Sequence, residues 1–211
     1  KSLSVVDINP ADGQEITCSI PFFGESTFGA ASLNQVVAIF KPNSIYVLDV
    51  ESRQYQRIDS RGIGCSAPKS VTSTKDGIMF INEGGVYRLN TQMKVDYVGR
   101  YMKVKWDALV KHSLTNITAA THWGHKSQYK VFLPPITAST TSDTYPTQAF
   151  VYNYDNEEMG GNGSWTRYTN MAALLGCNQG DNNFFASVNG CVYWNRTYGA
   201  AIDYRDDASA I

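Results

Sequence analysis

The sequence predicts an all-β chain, and within that class a β-propeller of about four to five blades with few or no helices. Three observations predict it. Tyr (13) and Phe (9) are plentiful and charged residues are only 18% of 211, a composition that favours strands and turns. Apolar residues alternate with period two and are interrupted every few positions by Gly, Pro or Asn. Strand–turn–strand units also recur at a fixed stride.

The stride is visible when "AIFKPNSIYVLD" (38–49) is set above "MFINEGGVYRLN" (79–90). Ile39 then lies over Phe80, Ile45 over Val86, Tyr46 over Tyr87 and Leu48 over Leu89, each a step of 41. In the second half, "AFVYNY" (149–154) and "GCVYWN" (190–195) place Tyr152 over Tyr193, again a step of 41. The turns "KPNS" and "NEGG" carry residues suited to tight hairpins. Short strands at this period are the mark of propeller blades, whereas helical repeats of similar length lack period-two alternation. A β-sandwich or a pair of β-rich domains is the alternative architecture.

Taken in order, residues 1–30 form a lead-in, 31–197 the blades and 198–211 a return segment toward a tube or platform region. Further strands are expected at 55–59, 69–74, 95–104, 116–123, 128–134, 164–169 and 183–188. Residues 134–148 are an inserted Pro/Ser/Thr loop without an apolar face. Only 106–114 and 170–177 have the pattern for a helical turn or two. The ends look cut, so the chain is expected to be a segment of a longer protein.

"RGIGCSAPKSV" (61–71) is expected to be the crossover from one blade's outer strand to the next blade's inner strand. Gly62 and Gly64 allow a sharp turn, and Pro68 forces Ala67 extended. Cys65 and Ser70 complete this structural motif.

The order "VVAIFKPNSIYVLD … GIGCSAPKSV … DGIMFINEGGVYRLN" resembles the β-propeller proteins of short-tailed phage tails, the tail nozzle or tail tubular B components. "YKVFLP" (129–134), "FVYNYD" (150–155) and "SWTRY" (164–168) continue that likeness. The resemblance implies a structural virion protein without catalysis. It would be a subunit of a homo-oligomeric ring, commonly sixfold, that meets adaptor and fibre or tail proteins and lines the genome-ejection channel. It implies localisation in the virion tail after assembly in the host cytoplasm.

Charge fits that role. A formal net charge of −1 argues against a strong nucleic-acid grip, while permitting double-stranded DNA to pass. Arg100, Lys103 and Lys105, interleaved with aromatics, are the candidates for a weak DNA-facing patch, if 95–104 is a strand. No apolar run reaches the length of a membrane span.

Other chemistry finds little footing. Cys65 has no base beside it in sequence, and the four cysteines are expected to be buried free thiols in a reducing compartment. His122 and His125 would point to opposite faces of a strand, so no metal site is expected. Asp155, Glu157, Glu158 and Asp181 sit in polar loops and lack the arrangement of a glycosidase pair. No cofactor is implied. The alternatives are a carbohydrate- or protein-binding propeller, for which "GSWTRYTN" (163–170) offers aromatic loops, and a propeller hydrolase.

Overall fold

The computed structural model describes residues 6–25, 33–50, 52–109, 118–123, 127–133, 148–154, 163–169, 173–179, 182–186 and 190–195. The chain divides into two compact units, Lys1–Tyr97 and Val98–Ile211.

The first unit holds two sheets. The first sheet runs β1 (Cys18–Glu25), β2 (Leu33–Lys41), β3 (Ser44–Asp49) and β4 (Tyr55–Arg57). The second runs β5 (Thr72–Thr74), β6 (Gly77–Asn82), β7 (Gly85–Asn90) and β8 (Val95–Tyr97). The second unit opens with a 3₁₀ turn (Arg100–Met102) leading into α1 (Lys103–Leu109). Its sheets are β9 (Thr118–Trp123), β10 (Gln128–Leu133), β11 (Gln148–Asn153) and β12 (Ser164–Thr169), then β13 (Leu175–Gln179), β14 (Asn182–Ala186) and β15 (Val192–Asn195).

All pairing is antiparallel between sequence neighbours, so each sheet is an up-and-down meander. The expected propeller is corrected here. The four sheets are separate and open, and among the described residues no ladder joins one sheet to another or closes a ring. A stride of 41 reflects hairpins that turn at equal intervals. It says nothing about a circuit of sheets, which depends on what covers each face.

Three local expectations also change. Residues 95–104 are not one strand, because β8 ends at Tyr97 and a 3₁₀ turn and helix follow. Residues 175–177, expected as a helical turn, belong to strand β13. The first sheet begins at Cys18, inside the stretch read as a lead-in. That strand carries Pro21, which a sheet tolerates at an edge, and β1 is an edge.

Faces within each unit are set by alternation. In the first sheet Val36, Ala38, Phe40, Ile45 and Val47 point to one side and meet Ile78, Phe80 and Leu89 of the second sheet. Phe40 and Phe80 touch, with ring centroids 5.0 Å apart. The other face of the first sheet, Ile39 and Tyr46, is covered by Ile8. In the second unit Phe132 and Ala149 of the third sheet pack against Phe185 of the fourth and Ala173.

Candidate functional site

The crossover at 61–71 stitches two sheets together. Arg61 and Gly62 take left-handed conformations (φ 53 and 80), which turn the chain sharply after β4. Gly64 meets a different demand. A Cβ there would collide with the carbonyl of Lys41 and the backbone of Pro42. With the chain that close, the Cys65 N–H donates to Lys41 O at 3.0 Å and the Ser66 N–H to Ile81 O at 3.0 Å. The segment thus bridges the end of β2 and the end of β6.

Ser70 completes the bridge. Strand β5 stops pairing with β6 at Met79, leaving the Ile81 N–H beyond the ladder. The Ser70 hydroxyl accepts from that N–H at 3.0 Å and donates to Ala67 O at 2.6 Å. Pro68 opens the 3₁₀ turn that brings Ser70 there, with Ala67 held outside the helical region at φ −123 and ψ 87. The Asn82 side chain donates to Gly64 O at 3.0 Å. Cys65 and Ser70 are both fully buried.

The four repeat tyrosines occupy the third strand of their sheets: Tyr46 on β3, Tyr87 on β7, Tyr152 on β11 and Tyr193 on β15. Their cross-strand partners on each second strand are Ile39, Phe80, Tyr129 and Phe185. Each of the first three also meets an aromatic on the fourth strand. Tyr46 packs edge-on to Tyr55, Tyr87 lies 5.1 Å from Tyr97, and Tyr152 lies 5.0 Å from Trp165. Tyr193 stacks on Phe185 at 5.4 Å. The repeat is thus an aromatic ladder across each meander.

Two buried lysines escape a reading by motif. Lys41 Nζ donates to Asp12 Oδ1 at 2.8 Å and to Asn9 O at 3.1 Å. Asn9 donates to the Tyr46 hydroxyl, which donates to Asp12 Oδ2 at 3.3 Å. The hydrogen bond from Lys41 holds the Asp12 carboxyl below its usual range, with the Gln14 N–H adding to it. This network fastens residues 8–14 to the outer face of the first sheet. Lys130 lies inside the second unit, where its Nζ donates to Asn183 Oδ1 at 3.0 Å. Burial pushes its amine down to about 7. The sequence signal was present: in "YKVFLP" Lys130 alternates onto the face of Phe132.

A cleft of about 400 Å³ flanks β12, lined by Tyr101, Met102, Phe150, Trp165 and Arg167 among others. Trp165 is fixed by its ring N–H, which donates to Val98 O at 3.0 Å, and by Tyr152. Tyr101 is 69% exposed and Arg167 is exposed. An aromatic face beside a guanidinium suits a sugar ring or another flat polar group.

The basic patch is rearranged. Arg100 is exposed in the 3₁₀ turn, while Lys103 and Lys105 fall in α1. Positions two apart on a helix do not share a face, so the strand face expected for this pair is lost. Lys103 also forms an ion pair with Asp107. Cysteine burial is uneven: Cys65 is buried, Cys18 and Cys191 are half-buried, and Cys177 is exposed. His125, Asp155, Glu157, Glu158 and Asp181 lie outside the described residues, as does the 134–147 loop. Among the described residues no group of three His, Cys, Asp or Glu is placed to hold a metal.

Neither a family model nor a curated protein sequence matches this chain.

Proposed function

We propose that this chain is a structural subunit of a virion tail assembly, of the tail-nozzle kind that its motifs resemble. It braces a ring around the genome-ejection channel, self-associates, and meets adaptor and fibre proteins. The observation that carries this reading is the crossover. Its Cys65, the one residue weighed as a nucleophile there, is fully buried, and its backbone and the Ser70 hydroxyl hold two sheets together. A loop whose polar atoms are consumed in bracing serves mechanics rather than turnover.

The test is the native mass of the purified chain, together with mass spectrometry of virions purified with portal and adaptor proteins. A ring of several copies and presence in the particle are expected. A strictly monomeric chain missing from particles would falsify the proposal.

The cleft beside Trp165 favours a second reading, a carbohydrate-binding module. Binding on a glycan array that Tyr101→Ala and Arg167→Ala both abolish would support it. An array with no signal removes it.

A further inference from the structure

We propose that Cys18 and Cys65 are a modification site: a thiol pair that closes to a reversible disulfide and pins the edge strand β1 to the crossover between the first two sheets. The two are 47 positions apart in sequence yet share one core. Cys18 pairs with Phe40 across the β1–β2 ladder, and alternation puts it on the face of Ile20 and Phe22. That face meets the inter-sheet core that holds Cys65. Cys65 reaches the same strand end because its N–H is bonded to Lys41 O, next to Phe40. Cys18 packs against the buried cluster that contains Cys65, so the two thiols face the same space.

The pair is asymmetric. Cys18 is half-buried and Cys65 is fully buried, so an oxidant meets Cys18 first. The contact with Cys65 and burial push the Cys18 thiol up. Its neighbour Cys65 is shifted the opposite way by the same contact, so the two thiols titrate as a pair that shares a proton.

The oxidant is a low-molecular-weight disulfide, RSSR. The pair loses one proton to solvent. Cys18, the sulfur an oxidant can reach, attacks as the thiolate one sulfur of RSSR while Cys65 keeps the remaining proton. The S–S bond breaks and the leaving RS⁻ takes up a proton from solvent. Cys65 then loses its proton to solvent, its thiolate attacks the Cys18 sulfur, and the displaced second RS⁻ takes up a proton from solvent. Two protein thiols are oxidised and one RSSR is reduced to two RSH. The crossover already fixes Cys65 through its backbone, so the second step needs little chain movement.

This site does not depend on the proposed tail role. It would suit any protein that folds in a reducing compartment and later works outside it, because the staple forms after folding.

The test uses the native full chain incubated with oxidised glutathione at about pH 8. Free thiols are blocked in denaturant, and unreduced digests are read by mass spectrometry. A peptide joining Cys18 to Cys65 is expected, with the thiol titre falling from the four free cysteines to two. The melting temperature is expected to rise by roughly 5 °C or more. The double variant Cys177→Ser/Cys191→Ser must still form the link. Cys65→Ser must stop with glutathione on Cys18. Glutathione on Cys18 of the unsubstituted chain with Cys65 still alkylatable, no change in titre, or a link through Cys177 or Cys191 instead would each overturn the proposal. If Cys65→Ser does not fold, the double variant alone decides.

Discussion

The first unit fills the space between its sheets with apolar side chains, whereas the second places an amine in the same kind of space. In the first, Phe40, Ile45, Ile78 and Phe80 meet without a charge among them, and Lys41 is turned to the opposite face, against Asp12. In the second, Lys130 shares its face with Phe132 and reaches the amide of Asn183. Both lysines are about 1% exposed, so burial alone does not distinguish them. What differs is the acceptor. Lys41 donates to a carboxylate, whereas Lys130 donates to a neutral amide and burial pushes its amine down. Two meanders built on one strand plan can therefore have interiors with different responses to pH.

The strongest way to break the first unit is Gly64→Ala. The added methyl would push the crossover off Lys41 and Pro42, where backbone must yield. A loss of roughly 3 kcal/mol or more is expected in denaturant unfolding, with the unit melting first. A variant as stable as the parent would mean that the stitch is dispensable.

Lys130→Met sharpens the comparison through pH. The folded amine titrates near 7 and the unfolded one near 10.4. Between those values the unfolded chain binds more protons, so stability contributed by this site rises with pH. Relative to Lys130→Met, the parent should gain on the order of a few kcal/mol from about pH 7 to about pH 10. Equal slopes in urea titrations would show that the amine is not buried. Asp12 has the same sign in a lower pH window. Its lowered carboxyl supports the fold above the ordinary carboxylate range and loses that support as pH falls through its folded value. Hydrogen exchange at residues 8–14 should accelerate in acid, and Asp12→Asn should bring that acceleration to neutral pH.

Ser70→Ala removes the cap from the buried Ile81 N–H and is expected to cost about 1–3 kcal/mol. Ser70→Thr, which keeps the hydroxyl, should recover part of it. The smallest effect belongs to the aromatic ladder. Tyr152→Leu keeps an apolar side chain but loses the contact with Trp165, at about 1 kcal/mol. The same change at Tyr193 tests the ladder through its stack on Phe185. Losses that differ severalfold would show that the repeat positions are not energetically equivalent.

Much of the strand plan was legible because alternation and turn residues act locally. "SWTRYT" is β12 as read, and "KPNS" and "NEGG" join paired strands. The crossover was legible as a turn, but the separate need for Gly64 was not, because the obstacle is a carbonyl more than twenty residues away. Residues 100–105 were misread because "RYMKVKW" alternates as well as any strand does, while its surroundings let it coil. Strand β1 was passed over because Pro21 argues against an interior strand and says little about an edge.

By itself, the sequence determined an all-β chain of successive meanders with a tyrosine on each third strand, since side-chain period and turn chemistry are properties of neighbouring residues. Tertiary structure alone decided that the sheets stay open, that Cys18 and Cys65 share one core, and which acceptor each buried lysine finds. Those outcomes depend on which faces come together across tens of residues, and alternation within a strand carries no record of what lies opposite it.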